Sequence, residues 1–373
     1  MRYTVAGSWN GHSLRAKTVG TPKYFHDGNL YARLGSGAAR GFVQGYGRIQ
    51  TITRNYQMPH TLKNDEEKDG SMPTSRLMIA SSLAKEYGCD IAVPNVTGIG
   101  DVLMYTRAVE ELAMRYGRPV SILTGRLAPV EVGTVENEDA YPIWKANPFV
   151  SRIVDAEAIA PAVLDAINSA HEGHCQFGHM IANICAEYGV IPRALRPSIY
   201  LTEKECRDAL LRLADLPRPI LCIHPYGTSS PIQSHPWHRR EWVQLLNELP
   251  VSVSVVEVGL RDIENKSLPS HKFTTTLREM MAIVWASDFF MGFDSSVAHV
   301  ATAFCKPAMV LWDPIRKNEL DERAHVGFGP AAFSRWSYPQ NKNLMLLGET
   351  NGEVRKLALN WIEETCRSIR TYG

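Results

Sequence analysis

Three short stretches of this chain set reactive side chains beside helix starts. In one, Asp294, Ser295 and Ser296 follow the apolar run Phe289–Phe293 and lead into Val297, Ala298, His299, Val300 and Ala301. Three capping side chains between a strand and a helical apolar face gather unpaired backbone N–H groups, hydroxyls and a partial positive charge. Such a turn suits an anion, above all a phosphate. The second stretch is Gly98-Ile99-Gly100-Asp101. Its glycines let another group approach the backbone closely, and Asp101 either caps the helix or acts as a general base. The dipole of a helix start favours the charged carboxylate, so Asp101 is expected to be ionised at neutral pH. The third stretch, His224 to Ser230, ends a strand with Gly227, Thr228 and Ser229, whose hydroxyls and backbone donors suit phosphate oxygens. His235, Trp237, Arg239, Arg240 and Trp242 follow, with Trp242 read as packing rather than binding.

The elements that must position these residues follow from periodicity. Residues 1 to 75 are rich in Gly, Tyr, Arg and Thr and read as a small β module, with a hairpin signal over 23–34 and a half-exposed strand over 42–56. From 74 onward strands and helices alternate, as in an α/β protein with parallel sheets. Expected first-half elements are a helix over 77–87, a strand over 91–94, a helix over 101–116, strands over 119–124 and 149–154, and helices over 160–170 and 177–188. In the second half, strands are expected over 219–224, 252–258, 273–276, 289–293 and 308–312. Helices are expected over 239–249, 277–286 and 352–370. The boundaries read as 1–75 for the β module, 76–214 and 215–351 for two Rossmann-like domains, and 352–373 for a closing helix. Phe289, Phe290, Val297, Val300, Cys222 and Cys305 are assigned to the core.

The net charge of +1 gives no general pull toward nucleic acid or an anionic membrane. The 7 cysteines are scattered without a CxxC pair, which suits reduced thiols and a cytoplasmic setting. No basic-then-apolar leader opens the chain, and no apolar run reaches the ~18 residues of a membrane span. His171, His174, Cys175 and His179 could ligate zinc, but Gly173 is expected to break the helix there and the spacing matches no standard finger. No metal is assigned.

Taken in order, Gly98 to Leu103, His224-Pro225 through Trp237 and Trp242, and Asp294 to Ala301 with Lys306-Pro307 resemble the motifs of glycosyltransferase family nine, the ADP-heptose-dependent heptosyltransferases. The resemblance covers about 75 to 373. It implies a GT-B fold of two Rossmann-like domains facing across a cleft, with the donor nucleotide on the C-terminal domain and the acceptor on the N-terminal one. It implies inverting transfer from an ADP-sugar to an acceptor hydroxyl, with no metal and no cofactor beyond that co-substrate. Asp101 falls at the base position. Thr228, Ser229, His235, Asp294, Ser295, Ser296 and His299 fall on the donor side; Gly98, Gly100, Gln176 and His179 fall on the acceptor side. In the stretch holding Glu257, Arg261, Asp262 and Glu264, one of the carboxylates falls where members hold the nucleotide ribose or the sugar, without the resemblance saying which. Two departures stand out: His235 replaces a diphosphate-pairing lysine, a task Arg239 or Arg240 could take instead, and Ser296 replaces a glycine. The acceptor, whether carbohydrate, lipid-linked or protein, and the oligomeric state are left open. Rival readings are a GT-B enzyme or epimerase using another nucleotide sugar, a non-catalytic carbohydrate- or partner-binding protein, and a nicotinamide oxidoreductase. The missing third glycine after Gly100 speaks against the last.

Overall fold

Continuous apolar strands that must be covered on both faces build the larger of two parallel sheets. The structure is a computed structural model of the chain. It describes residues 8–9, 12–13, 25–26, 74–95, 98–126, 141–174, 178–225, 239–250, 252–259, 268–312, 333, 335–346 and 351–372. The described strands are β1 (Ser8–Trp9), β2 (His12–Ser13), β3 (Phe25–His26), β4 (Ile91–Val93), β5 (Val120–Thr124), β6 (Val150–Asp155), β7 (Tyr200–Leu201), β8 (Ile220–His224), β9 (Ser254–Gly259), β10 (His271–Thr274), β11 (Phe289–Phe293), β12 (Ala308–Trp312) and β13 (Lys342–Met345). The helices are α1 (Thr74–Glu86), α2 (Ile99–Tyr116), α3 (Ala156–Ile159), α4 (Pro161–His174), α5 (Met180–Glu187), α6 (Glu203–Arg212), α7 (Arg239–Asn247), α8 (Leu277–Ala286), α9 (Ser296–Ala303) and α10 (Asn351–Tyr372).

The large sheet runs β10-β9-β8-β11-β12-β13, parallel throughout. Counted from β8, that order is 3-2-1-4-5-6, the doubly wound order in which the chain reverses direction across the sheet between its first and fourth strands. Side-chain alternation sorts each strand between two cores. Leu221, Ile223, Phe289, Met291, Phe293, Met309 and Leu311 face one side, with Trp242 and Leu245 of α7 and Val354, Ala358 and Ile362 of α10. Ile220, Cys222, Phe290, Ala308 and Val310 face the other, with Met281 and Ile283 of α8 and Val297, Ala298, Val300 and Ala301 of α9. Trp242 is fully buried edge-on to Phe293, so it packs as expected. Burial of each such large side chain contributes roughly 1.5–3 kcal/mol.

The smaller sheet, β4-β5-β6, is also parallel. Helix α2 joins its core to that of the large sheet: Val102, Leu103, Met104, Tyr105, Ala108 and Val109 share one apolar cluster with residues of α8 and α9. Helix α2 is covered on all sides: every residue from Val102 to Ala113 is buried. The chain after α5 covers the outer face. Arg193 pairs with Glu110 at 2.7 Å and Glu111 at 2.9 Å, Arg107 pairs with Glu110 at 2.8 Å, and the Ser198 amide donates to Thr106 at 2.8 Å. Paired in this way, the charges can stay in the interior.

Several expectations change. Of the hairpin over 23–34, Phe25–His26 is described and pairs antiparallel with Tyr200–Leu201; the strand expected over 42–56 lies outside the described residues. Helix α4 continues through Gly173 to His174. Cys305 is exposed rather than core. It follows α9 with φ 55°, in the left-handed region. Its amide donates to the Thr302 carbonyl and that of Lys306 to the Ala301 carbonyl, a Schellman ending that usually takes glycine. Cys305→Gly is therefore expected to stabilise the fold by about 1 kcal/mol in urea denaturation. An unchanged midpoint would show that the backbone strain is relieved elsewhere. Among the described residues no helix is long and apolar enough to cross a membrane.

Candidate active site

The reversal point of the doubly wound sheet lies between β8 and β11, whose carboxyl ends open a crevice where ligands bind in such sheets. The chain leaves β11 directly into Asp294, Ser295 and α9, and leaves β8 at His224. His224 is held by its Nδ1, 2.9 Å from the Val258 carbonyl. Ser295 is the N-cap residue of α9, but its side chain makes no capping bond. Its hydroxyl is buried with no partner among the described residues. The expected side-chain cap is thus absent, and the first turn keeps N–H groups without intrahelical partners.

The N-terminus of α2 meets the N-terminus of α9. A Cβ placed on Gly100 would stand 2.6 Å from Cδ2 and 2.8 Å from Nε2 of His299. Only glycine permits that approach. Asp101 and Asp294 share this junction, and the charge of Asp101 acts on Asp294. Burial pushes the Asp101 carboxyl up to about 7, opposed by the Trp336 indole and the Gly98 backbone N–H. Burial, then repulsion from Asp101, pushes Asp294 up to about 7 as well. The expectation that the helix start keeps Asp101 firmly ionised is corrected: loss of water outweighs the N–H groups of the first turn. Both residues as a whole are half-buried rather than fully enclosed.

Aromatic rings close the junction. His299 and His179 flank Tyr338, with ring centroids 5.4 Å and 5.5 Å away. Burial, then the nearby His179, pulls His299 down to about 3. Burial pulls His179 down to about 4, opposed by the Ser337 backbone. Both imidazoles are therefore neutral at physiological pH. His179 also caps α5, where its Nδ1 accepts the Ile181 amide at 3.2 Å.

The structure thus brings together Gly98, Gly100, Asp101, His179, Asp294, Ser295, Ser296 and His299. Thr228, Ser229, His235 and Gln176 lie outside the described residues, as do the side chains of His171 and His174, together with Cys175, Arg261, Asp262 and Glu264. Glu257 is fully buried on β9 and accepts the Ser270 hydroxyl at 3.1 Å. Among the described residues no group of three or more His, Cys, Asp or Glu is placed to hold a metal. Sequence reading missed Trp336 and Tyr338. The aromatic spacing in Trp336-Ser337-Tyr338 was the available signal, but it sits in no motif.

This architecture is shared with solved glycosyltransferases. One is the Escherichia coli ADP-heptose lipopolysaccharide heptosyltransferase II, matched at TM-score 0.50 and 14% identity over 73% of this chain and 98% of that one. Another is a family 9 glycosyl transferase from Veillonella parvula, matched at TM-score 0.50 and 12% identity over 74% of this chain and 97% of that one. No family model matches the sequence, and neither does any curated protein.

Proposed function

We propose that this chain is an inverting glycosyltransferase of GT-B architecture, moving a sugar from an ADP-sugar, with heptose as that sugar, to an acceptor hydroxyl. The observation that carries the reading is the meeting of two helix starts, one bearing Asp101 and the other Asp294 to His299, at the reversal point of the large sheet. The fold shared with heptosyltransferase II supports the donor class. Residues 76–214 would present the acceptor and 215–351 the donor.

In the proposed step the acceptor hydroxyl loses its proton to the Asp101 carboxylate as its oxygen bonds to the anomeric carbon. The bond from that carbon to the diphosphate oxygen breaks on the opposite face, and ADP departs with the electron pair. Attack opposite the leaving group inverts the anomeric centre. A base with a pKa near 7 suits this task, because it is partly ionised at working pH yet basic enough to accept the proton. The charge that develops on the diphosphate meets the N–H groups at the start of α9, with Ser295 and Ser296 beside them. Asp294 and His299 would contact the sugar. Thr228, Ser229 and His235 are assigned to the same diphosphate from the sequence resemblance. No metal takes part in the step.

A thermal-shift panel of ADP-, GDP-, UDP- and dTDP-sugars tests the donor class. An ADP-sugar at about 100 times its Kd stabilises the native state by about 2.7 kcal/mol, so a clear rise in midpoint is expected with ADP-heptose. A larger rise with another nucleotide would move the assignment to that donor.

A further inference from the structure

Tyr338 belongs to none of the motifs above, and the transfer step does not use it. It is buried, with 2% of its surface exposed. Its hydroxyl lies 2.6 Å from Nδ1 of His299. The opposite edge of the same imidazole, Cδ2 and Nε2, faces Gly100 at the start of α2.

Proton accounting selects one arrangement. A buried O–H without an acceptor costs on the order of 1–3 kcal/mol. Nδ1 of His299 is the acceptor that the structure gives the Tyr338 hydroxyl. If Nδ1 carried the ring proton, the phenol would have to accept it and its own proton would be left without an acceptor among the described residues. The phenol therefore donates to Nδ1, and a neutral imidazole with Nδ1 occupied carries its proton on Nε2. The packing holds the ring there: Tyr338 is wedged between the two imidazoles, and His299 cannot swing toward α2 because Gly100 already lies against it.

We propose that Tyr338 is a positioning residue that locks His299 as the neutral Nε2–H tautomer, so that a fixed, uncharged N–H donor stands at the start of α2, against Gly100 and next to Asp101 in the chain. The lock stands independently; its effect on turnover rests on the transferase reading. A neutral donor of this kind suits a sugar hydroxyl or a diphosphate oxygen, and it does not compete with Asp101 for the acceptor proton. The titratable groups around it are Asp101, Asp294, His179 and Tyr338 itself.

The test is side-chain ¹⁵N–¹H NMR of the full chain labelled at histidine, with the His299 signals assigned by their loss in His299→Gln. The wild type is expected to show protonated Nε2 and unprotonated Nδ1, unchanged between about pH 5 and 8. Tyr338→Phe keeps the ring packing and removes the donor. It is expected to give mixed tautomers and to lower kcat about tenfold while the KM for the donor changes little. A wild-type spectrum with Nδ1 protonated would overturn the proposal, even if the variant did not fold. So would a Tyr338→Phe variant with an unaltered tautomer. Tautomer behaviour as expected, with no glycosyl transfer from any nucleotide sugar, would support the lock and contradict the transferase reading.

Discussion

Replacing Asp101 with Asn is expected to lower glycosyl transfer by about 10²–10⁴-fold, the usual contribution of a positioned base, and to make the substrate-free protein more stable. Both effects have one origin. The native state resists ionisation of this carboxyl, whose pKa is pushed up by burial to about 7. The unfolded chain ionises it near the ordinary carboxylate value. Between those two values the native state binds the extra proton, so stability falls as pH rises through this window. The amide carries no such penalty. The gain for Asp101→Asn should be largest at and above neutral pH, on the order of 1–2 kcal/mol after allowance for the residue's partial exposure, and should fade toward pH 4. Thermal melts at acid and neutral pH check the stability half; initial rates with ADP-heptose check the other. Wild-type turnover would remove Asp101 from the base role. A midpoint that falls at neutral pH would mean that the carboxylate, not the acid, is the form the site stabilises.

Arg278→Ala should cost about 3–5 kcal/mol, as expected when a buried ion pair loses one partner. Arg278 on α8 is 6% exposed. It donates to both Glu205 oxygens, at 2.9 Å and 2.6 Å, to the Tyr200 carbonyl at 2.8 Å and to the Pro142 carbonyl at 3.2 Å. It thereby ties a helix of the large sheet to the chain beyond the small one. Glu205 also closes the capping box of α6 with Thr202. Burial raises the Glu205 pKa, but Arg278 and the Thr202 contacts overcome it and hold the carboxyl at about 2. A depressed carboxylate stabilises the fold above its unfolded pKa, and the benefit is lost as pH falls from about 4.5 toward 2. Urea denaturation should therefore show a deficit for Arg278→Ala at pH 7 that narrows in strong acid. A loss below about 1 kcal/mol at neutral pH would place this pair among surface-like ion pairs.

Much of the scaffold was legible because local and tertiary demands agree in it. Phe289–Phe293 and Ala308–Trp312 are apolar on both faces because helices cover both faces of the sheet. Val354, Ala358, Trp361 and Ile362 recur at helical spacing because α10 lays one stripe on that sheet. Asp101 and Asp294 to His299 could be singled out because glycine and capping residues mark where strands turn into helices. Other features depend on distant partners. The short, half-polar strand Lys342–Met345 pairs with β12 at the sheet edge. Tyr338 precedes that strand and meets His299, 39 residues earlier in the chain. The raised pKa of Asp101 reflects desolvation at the junction with α9, which local spacing does not report. Cys305 sits in an apolar run, yet the Schellman ending of α9 turns it outward.

The most direct measurement is a crystal structure of the Asp101→Asn variant, which keeps the donor intact, bound to ADP-heptose. The diphosphate is expected against the backbone N–H groups at the start of α9, with the sugar beside Asp294 and His299. The anomeric carbon should then turn the face opposite the leaving diphosphate toward residue 101. A nucleotide seated elsewhere, or a sugar whose open face points away from residue 101, would contradict transfer at this junction.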